Sequence, residues 1–214
     1  MKVYGETIFD IVYLLTAVAI GIYILIRAKT HHGLMGAAAL ILGCGDAFHL
    51  VPRMLNYFID SDFSAALGIG KLVTSVTMTV FYICMYYIYL KVSSCAESKK
   101  MTFCVWALSA IRIALCLMPQ NRWITNDGPL MWGIIRNIPF VVLGLLIVLL
   151  YWSVRKDVKA FGNVWLFVTL SFLFYIPVVI GAEAVPLLGM FMLPKTVCYV
   201  LILLAFKKQS EMEN

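Results

Sequence analysis

Charge is scarce in this chain. Only 13% of its 214 residues are Asp, Glu, Lys or Arg, against 63% that are hydrophobic. Soluble domains ordinarily carry about 25% charged and about 45–50% apolar residues. The shortage excludes a water-soluble globule of this size, because the apolar surplus must face something other than water, and lipid accepts it. Acid is scarcer still, with 11 carboxylates against 17 Lys and Arg. The resulting net charge of +6 does not mark a nucleic-acid binder. Its bases gather at the ends of apolar runs, where membrane topology accounts for them. Histidine is limited to His31, His32 and His49, and the six cysteines form no C-x-x-C pair. Cys44, Cys84, Cys104, Cys116 and Cys198 lie in apolar stretches and Cys95 in a Lys-bearing loop, so all read as small hydrophobes. Neither a metal site nor a cofactor is expected.

What is present is a succession of long apolar runs. Spans are predicted at residues 8–26, 34–58, 65–90, 101–118, 130–152, 161–180 and 185–206. Each approaches the roughly 20 residues that cross a hydrocarbon core of about 30 Å at 1.5 Å per residue. The fold class is therefore all-α: one seven-helix transmembrane domain over residues 1–214, in a multi-pass protein of the cell membrane. The opening MKVYGETIFD carries Glu6 and Asp10 and lacks a small-residue cleavage site, so the first run reads as a permanent helix rather than a signal. An echo between Leu67-Gly68 before Lys71 and Leu188-Gly189 before Lys195 has unequal offsets and does not amount to a repeat.

Orientation follows from the basic residues of the connections. One side holds Arg27 and Lys29, then Lys91, Lys99 and Lys100, then Arg155, Lys156 and Lys159, and finally Lys207 and Lys208. The other offers Asp60 and Asp62, Arg122 with Asp127, and Glu183. The asymmetry predicts an external N-terminus and a cytoplasmic C-terminus. Tyr82, Tyr86, Tyr87, Tyr89 and Trp152 then fall near the cytoplasmic interface and read as an aromatic belt. Asp10 reads as a cap on the outer end of the first helix. Ala39, Gly43 and Ala47 repeat at four-residue spacing, a small-residue stripe that lets two helices approach closely.

The informative residues are ionisable ones inside the spans. On insertion scales each costs about 2.5–3.5 kcal/mol at a helix centre, so such residues turn to the bundle interior or a wet cavity. Asp46, His49 and Arg53 stand at i, i+3 and i+7, on one helix face. Lys71, Arg112, Arg136 with its neighbour Asn137, and Lys195 complete the set, all in the outer half or near mid-depth. Pro52, Pro139 and Pro194 sit within three residues of members of the set, and Pro177 interrupts the sixth span. A proline frees a backbone carbonyl one turn back that a neighbour or water must satisfy. Two readings stand. In one, Asp46 pairs with Arg112 or Arg136 while Arg53 and Lys71 snorkel to the interface. In the other, Asp46, His49, Arg53, Lys71, Arg112, Arg136, Asn137 and Lys195 bound a basic cavity that binds or transports a small anion or anionic amphiphile. The partners expected are membrane lipids and that ligand; oligomeric state is left open.

Two local resemblances add alternatives. Gly43-Cys44-Gly45-Asp46-Ala47-Phe48-His49 resembles the second-helix motif of the alkaline ceramidase and adiponectin-receptor superfamily, which implies a lipid-modifying enzyme. That motif has Ser four residues before the His, where this chain has Gly45, and the family completes a zinc site with two His on its last helix, where this chain has none. An Asp46–His49 acid–base pair without metal is what remains of that reading. The last two spans resemble those of microbial rhodopsins through Tyr175, Pro177, Glu183 and Lys195, which implies a chromophore on Lys195. The third span, GKLVTSVTMTVFY, lacks the counterion Asp and following Trp of that family.

Overall fold

In the computed structural model the chain is described over residues 2–27, 32–93, 96–182 and 184–212. Lys29, His31, Cys95 and Glu183, named above, lie outside the described residues. Seven α-helices follow one another: α1 (Lys2–Arg27), α2 (Gly33–Phe58), α3 (Ser64–Ser93), α4 (Lys99–Leu117), α5 (Leu130–Ser153), α6 (Val164–Gly181) and α7 (Met192–Met212). Short 3₁₀ turns at Pro119–Asn121, Lys159–Phe161 and Pro186–Phe191 precede α5, α6 and α7. Every helix, α6 and α7 with their leading 3₁₀ turns, is long and apolar enough to span a membrane. Helices adjacent in sequence pack together, α7 closes against α1, and α3 also meets α5. Large apolar side chains such as Ile26, Leu145, Leu149 and Leu173 cover the outside, the surface that lipid solvates.

Small residues set the tightest crossings. A Cβ on Gly36 would meet Leu25 and the carbonyl of Gly21, and one on Gly43 would meet Ala17, so the predicted stripe of α2 lies against α1. Gly45 faces Thr77 of α3, and Thr74 Oγ1 donates to the Gly45 carbonyl at 3.1 Å. Further along, Gly70 lies against the carbonyl of Phe48. That carbonyl is the one Pro52 leaves without its helical donor. This close approach brings His49 of α2 beside the segment of α3 that carries Lys71.

The end of the bundle holding the α1–α2, α3–α4 and α5–α6 connections is packed with aromatics. Phe81, Tyr82 and Tyr86 of α3, Tyr151 of α5, Phe161 of the 3₁₀ turn before α6 and Phe206 of α7 are all fully buried. The belt expectation fails for Tyr82, Tyr86 and Tyr89, which face inward; Tyr87 is half-buried and accepts from Trp106 Nε1, and Trp152 is exposed against Trp165. For Tyr82 and Tyr86 the reason is that the hydroxyl finds a partner inside, as it does for Tyr151. Tyr82 meets the Tyr199 hydroxyl at 3.3 Å, Tyr86 the Thr102 hydroxyl at 2.7 Å, and Tyr151 donates to the Met85 carbonyl at 3.0 Å. A satisfied phenol can serve as a core residue as well as an interfacial one.

Candidate functional site

The opposite end of the bundle, where α2–α3, α4–α5 and α6–α7 connect, opens into a cavity of about 400 Å³. Its lining reaches down to Phe140, one buried turn below Arg136 on α5, and that ring also meets Tyr82 at 4.9 Å and Phe172 at 5.1 Å. The cavity thus begins where the aromatic core ends. His49, Arg53, Lys71, Arg112, Arg136, Asn137 and Lys195 all line it, and among the described residues no carboxylate does.

Two acids are drawn away by α1. Asp10 is 2% exposed and sits two turns inside α1, so it is not the terminal cap the sequence led us to expect; α1 simply begins earlier. It binds Arg53 Nη2 at 2.5 Å, which replaces the expected snorkelling of Arg53. Asp46 does not line the cavity and accepts a 2.5 Å hydrogen bond from the Tyr13 hydroxyl. The expected pairing of Asp46 with Arg112 or Arg136 is therefore absent among the described residues, and no hydrogen bond joins Asp46 to His49. No ion pair joins Asp46 to Lys195 either.

Among the described residues, Arg112, Arg136 and Lys195 are held by neutral groups. Arg112, 3% exposed, lays its guanidinium over the Phe140 ring with the central carbon 3.3 Å from the centroid. Its Nε and Nη1 make no hydrogen bond among the described residues. Arg136 donates from Nη1 to Asn121 Oδ1 at 2.7 Å and stacks 4.4 Å from the Trp123 ring. Lys195 Nζ lies 4.5 Å from the Tyr175 ring and 5.6 Å from that of Tyr199. Pro194 falls in the first turn of α7, where it makes no mid-helix kink, and Lys195 is one residue beyond it. Lys71 donates to Asn126 Oδ1 at 2.7 Å.

The α4–α5 connection is a built wall of this cavity. Asn121 Nδ2 donates to the carbonyls of Leu115, Cys116 and Met118, closing the C-terminal end of α4, and Trp123 Nε1 donates to the Cys116 carbonyl at 2.7 Å. Arg122 and Asn126 take left-handed backbone at φ 48° and 56° and turn the chain back. Thr125 hydrogen-bonds Asp127, which holds that exposed carboxyl below its ordinary range with help from Arg122. Gly68 of α3 lies directly under the Trp123 carbonyl. Asn121, Trp123, Asn126 and Phe140 carry no signal as charges within spans, being neutral or in a loop, and Tyr175 stands out in the sequence only through the rhodopsin resemblance. The one available signal was the polar and aromatic content of PQNRWITND next to an apolar run.

The chain matches no known family model, and no curated protein or solved structure is significantly similar to it.

Proposed function

We propose that this is a multi-pass protein of the cell membrane, N-terminus outside, whose outward-facing cavity binds or transports a small anion or the anionic head of an amphiphile. The observation that carries this reading is Arg112. A cation–π contact is worth about 2 kcal/mol when desolvated, comparable to the about 2.5–3.5 kcal/mol that a charge costs at a helix centre. The ring face satisfies no N–H, however, and each unsatisfied buried donor costs a further 1–3 kcal/mol or so. An anion in the cavity would meet those donors with charge-assisted bonds once the guanidinium turns off the ring, because neither atom has exposed surface in its present position. Arg136 and Lys195 add charge on the same space without a described carboxylate in contact. Phosphate, sulfate and carboxylate heads all fit that chemistry.

The test is a titration of dialysed, detergent-purified protein with phosphate, sulfate and oleate, followed by native mass spectrometry and by the fluorescence difference between wild type and Trp123→Phe. One anion bound per chain, lost in Arg112→Gln, is the expected result. A wild-type protein that takes up none of the three overturns the reading.

A further inference from the structure

A second space adjoins the first. Between α5 and α6 runs a groove of about 220 Å³ walled by Ile134, Ile138 and Val141 on one side and Ile176, Val179 and Ile180 on the other. Ile138 and Ile180 are more than half exposed on the lipid-solvated surface, so the groove opens sideways from the bundle. Its polar members are Asn137 and Tyr175, and these two, with Val179, also line the cationic cavity. The seam between the two spaces is thus a neutral pair, with the Tyr175 hydroxyl donating to Asn137 Oδ1 at 2.9 Å while Asn137 Nδ2 is held by the Gly133 carbonyl at 2.8 Å.

We propose that the ligand is a single-chain anionic amphiphile taken from the surrounding membrane, its carboxylate or phosphate head on Arg112 and its chain passing the Asn137–Tyr175 seam into the α5–α6 groove. This rests on the reading that the cavity takes an anion, and it adds the chain and the route. A free inorganic anion has no use for an apolar groove that meets the cavity at Asn137. An uncharged chain has no use for Arg112. An amphiphile complements both surfaces at once, and lateral entry spares its chain any passage through water.

The experiment uses the full chain in phosphatidylcholine nanodiscs with a lysophosphatidate carrying a diazirine at mid-chain, and maps the photoadducts. Adducts are expected to concentrate on Ile138, Val141 and Val179 and to fall at least fivefold in Arg112→Gln. Ile138→Trp, at an exposed position where folding tolerates bulk, is expected to displace the adducts while leaving inorganic phosphate binding intact. Adducts spread evenly over Leu145, Leu149 and Leu173, and indifferent to Arg112, overturn the amphiphile. If phosphate still binds in that case, the anion reading survives alone; if phosphate binding is also absent, the anion reading falls with it.

Discussion

Tyr13 donates a 2.5 Å hydrogen bond to Asp46, and one helical turn away on the same face of α1 Asp10 holds Arg53 at 2.5 Å. Helix α1 therefore supplies one acid and one phenol to two ionisable residues of α2. The consequence for the cavity is a sorting of charge. Asp46 and Asp10 are bound toward α1, and Arg112, Arg136 and Lys195 are left facing the open space.

Removing the acid from this arrangement should cost stability more than it costs chemistry. In Asp10→Asn, Arg53 keeps its charge and loses its partner. Breaking a fully buried pair costs about 3–5 kcal/mol; because Arg53 is 26% exposed, roughly 2–3 kcal/mol is expected here. A lowered thermal midpoint in detergent would register it, and Asp10→Asn with Arg53→Gln together should lose less than the two singly. Additive losses would mean the pair is not coupled.

The α4–α5 wall makes a sharper steric prediction. Gly68→Ala drives a methyl group into the Trp123 carbonyl, and overpacking of this kind costs about 1–3 kcal/mol. Gly133→Ala, at a position with nothing within 4 Å, should be neutral or stabilise by up to about 1 kcal/mol through helix propensity. Thermal midpoints should separate the two variants, and Trp123 emission should move in the first alone. Equal midpoints would show that the loop does not rest on α3.

The helices were legible because lipid leaves little choice: apolar runs of spanning length form helices whatever their neighbours do. The spacing of Asp46, His49 and Arg53 likewise put them on one face before any packing was known. Partner choice was not legible. Asp10 reads as a cap because the apolar run opens at Ile8, six residues after α1 begins, and nothing in the composition says that Tyr13 rather than Arg112 meets Asp46. The interior tyrosines were misassigned because a phenol suits an interface and a hydrogen-bonded core equally well. Asn121 and Trp123 were hidden in a loop, where function comes from backbone geometry that spacing does not encode.

Orientation decides which compartment the cavity serves. At the packed end Lys91 lies in the last turn of α3, Lys99 and Lys100 open α4, and Arg155, Lys156 and Lys159 follow α5; the proposed outward-facing cavity rests on the rule that such basic ends stay in the cytoplasm. A membrane-impermeant maleimide applied to intact cells should label Ser61→Cys, in the exposed α2–α3 connection, and reach Lys156→Cys only after permeabilisation. The reverse pattern would open the cavity to the cytoplasm and make an export or internal-sensing role the one to pursue.

Arg112 offers the test that separates a ligand site from a strut. Arg112→Met keeps an unbranched apolar stem while removing the charge and the guanidinium that lies over Phe140. If Arg112 braces the helices, its loss should resemble that of a buried ionic partner and cost about 3–5 kcal/mol. If it waits for a ligand, the variant sheds an insertion cost of about 2.5 kcal/mol against a cation–π gain of about 2 kcal/mol, so the midpoint should hold or rise while phosphate binding disappears. That combination, with stability kept and binding lost, is the usual signature of a residue retained for function at the expense of the fold. A midpoint that falls steeply, with phosphate binding unchanged in the surviving folded protein, would assign Arg112 to the scaffold.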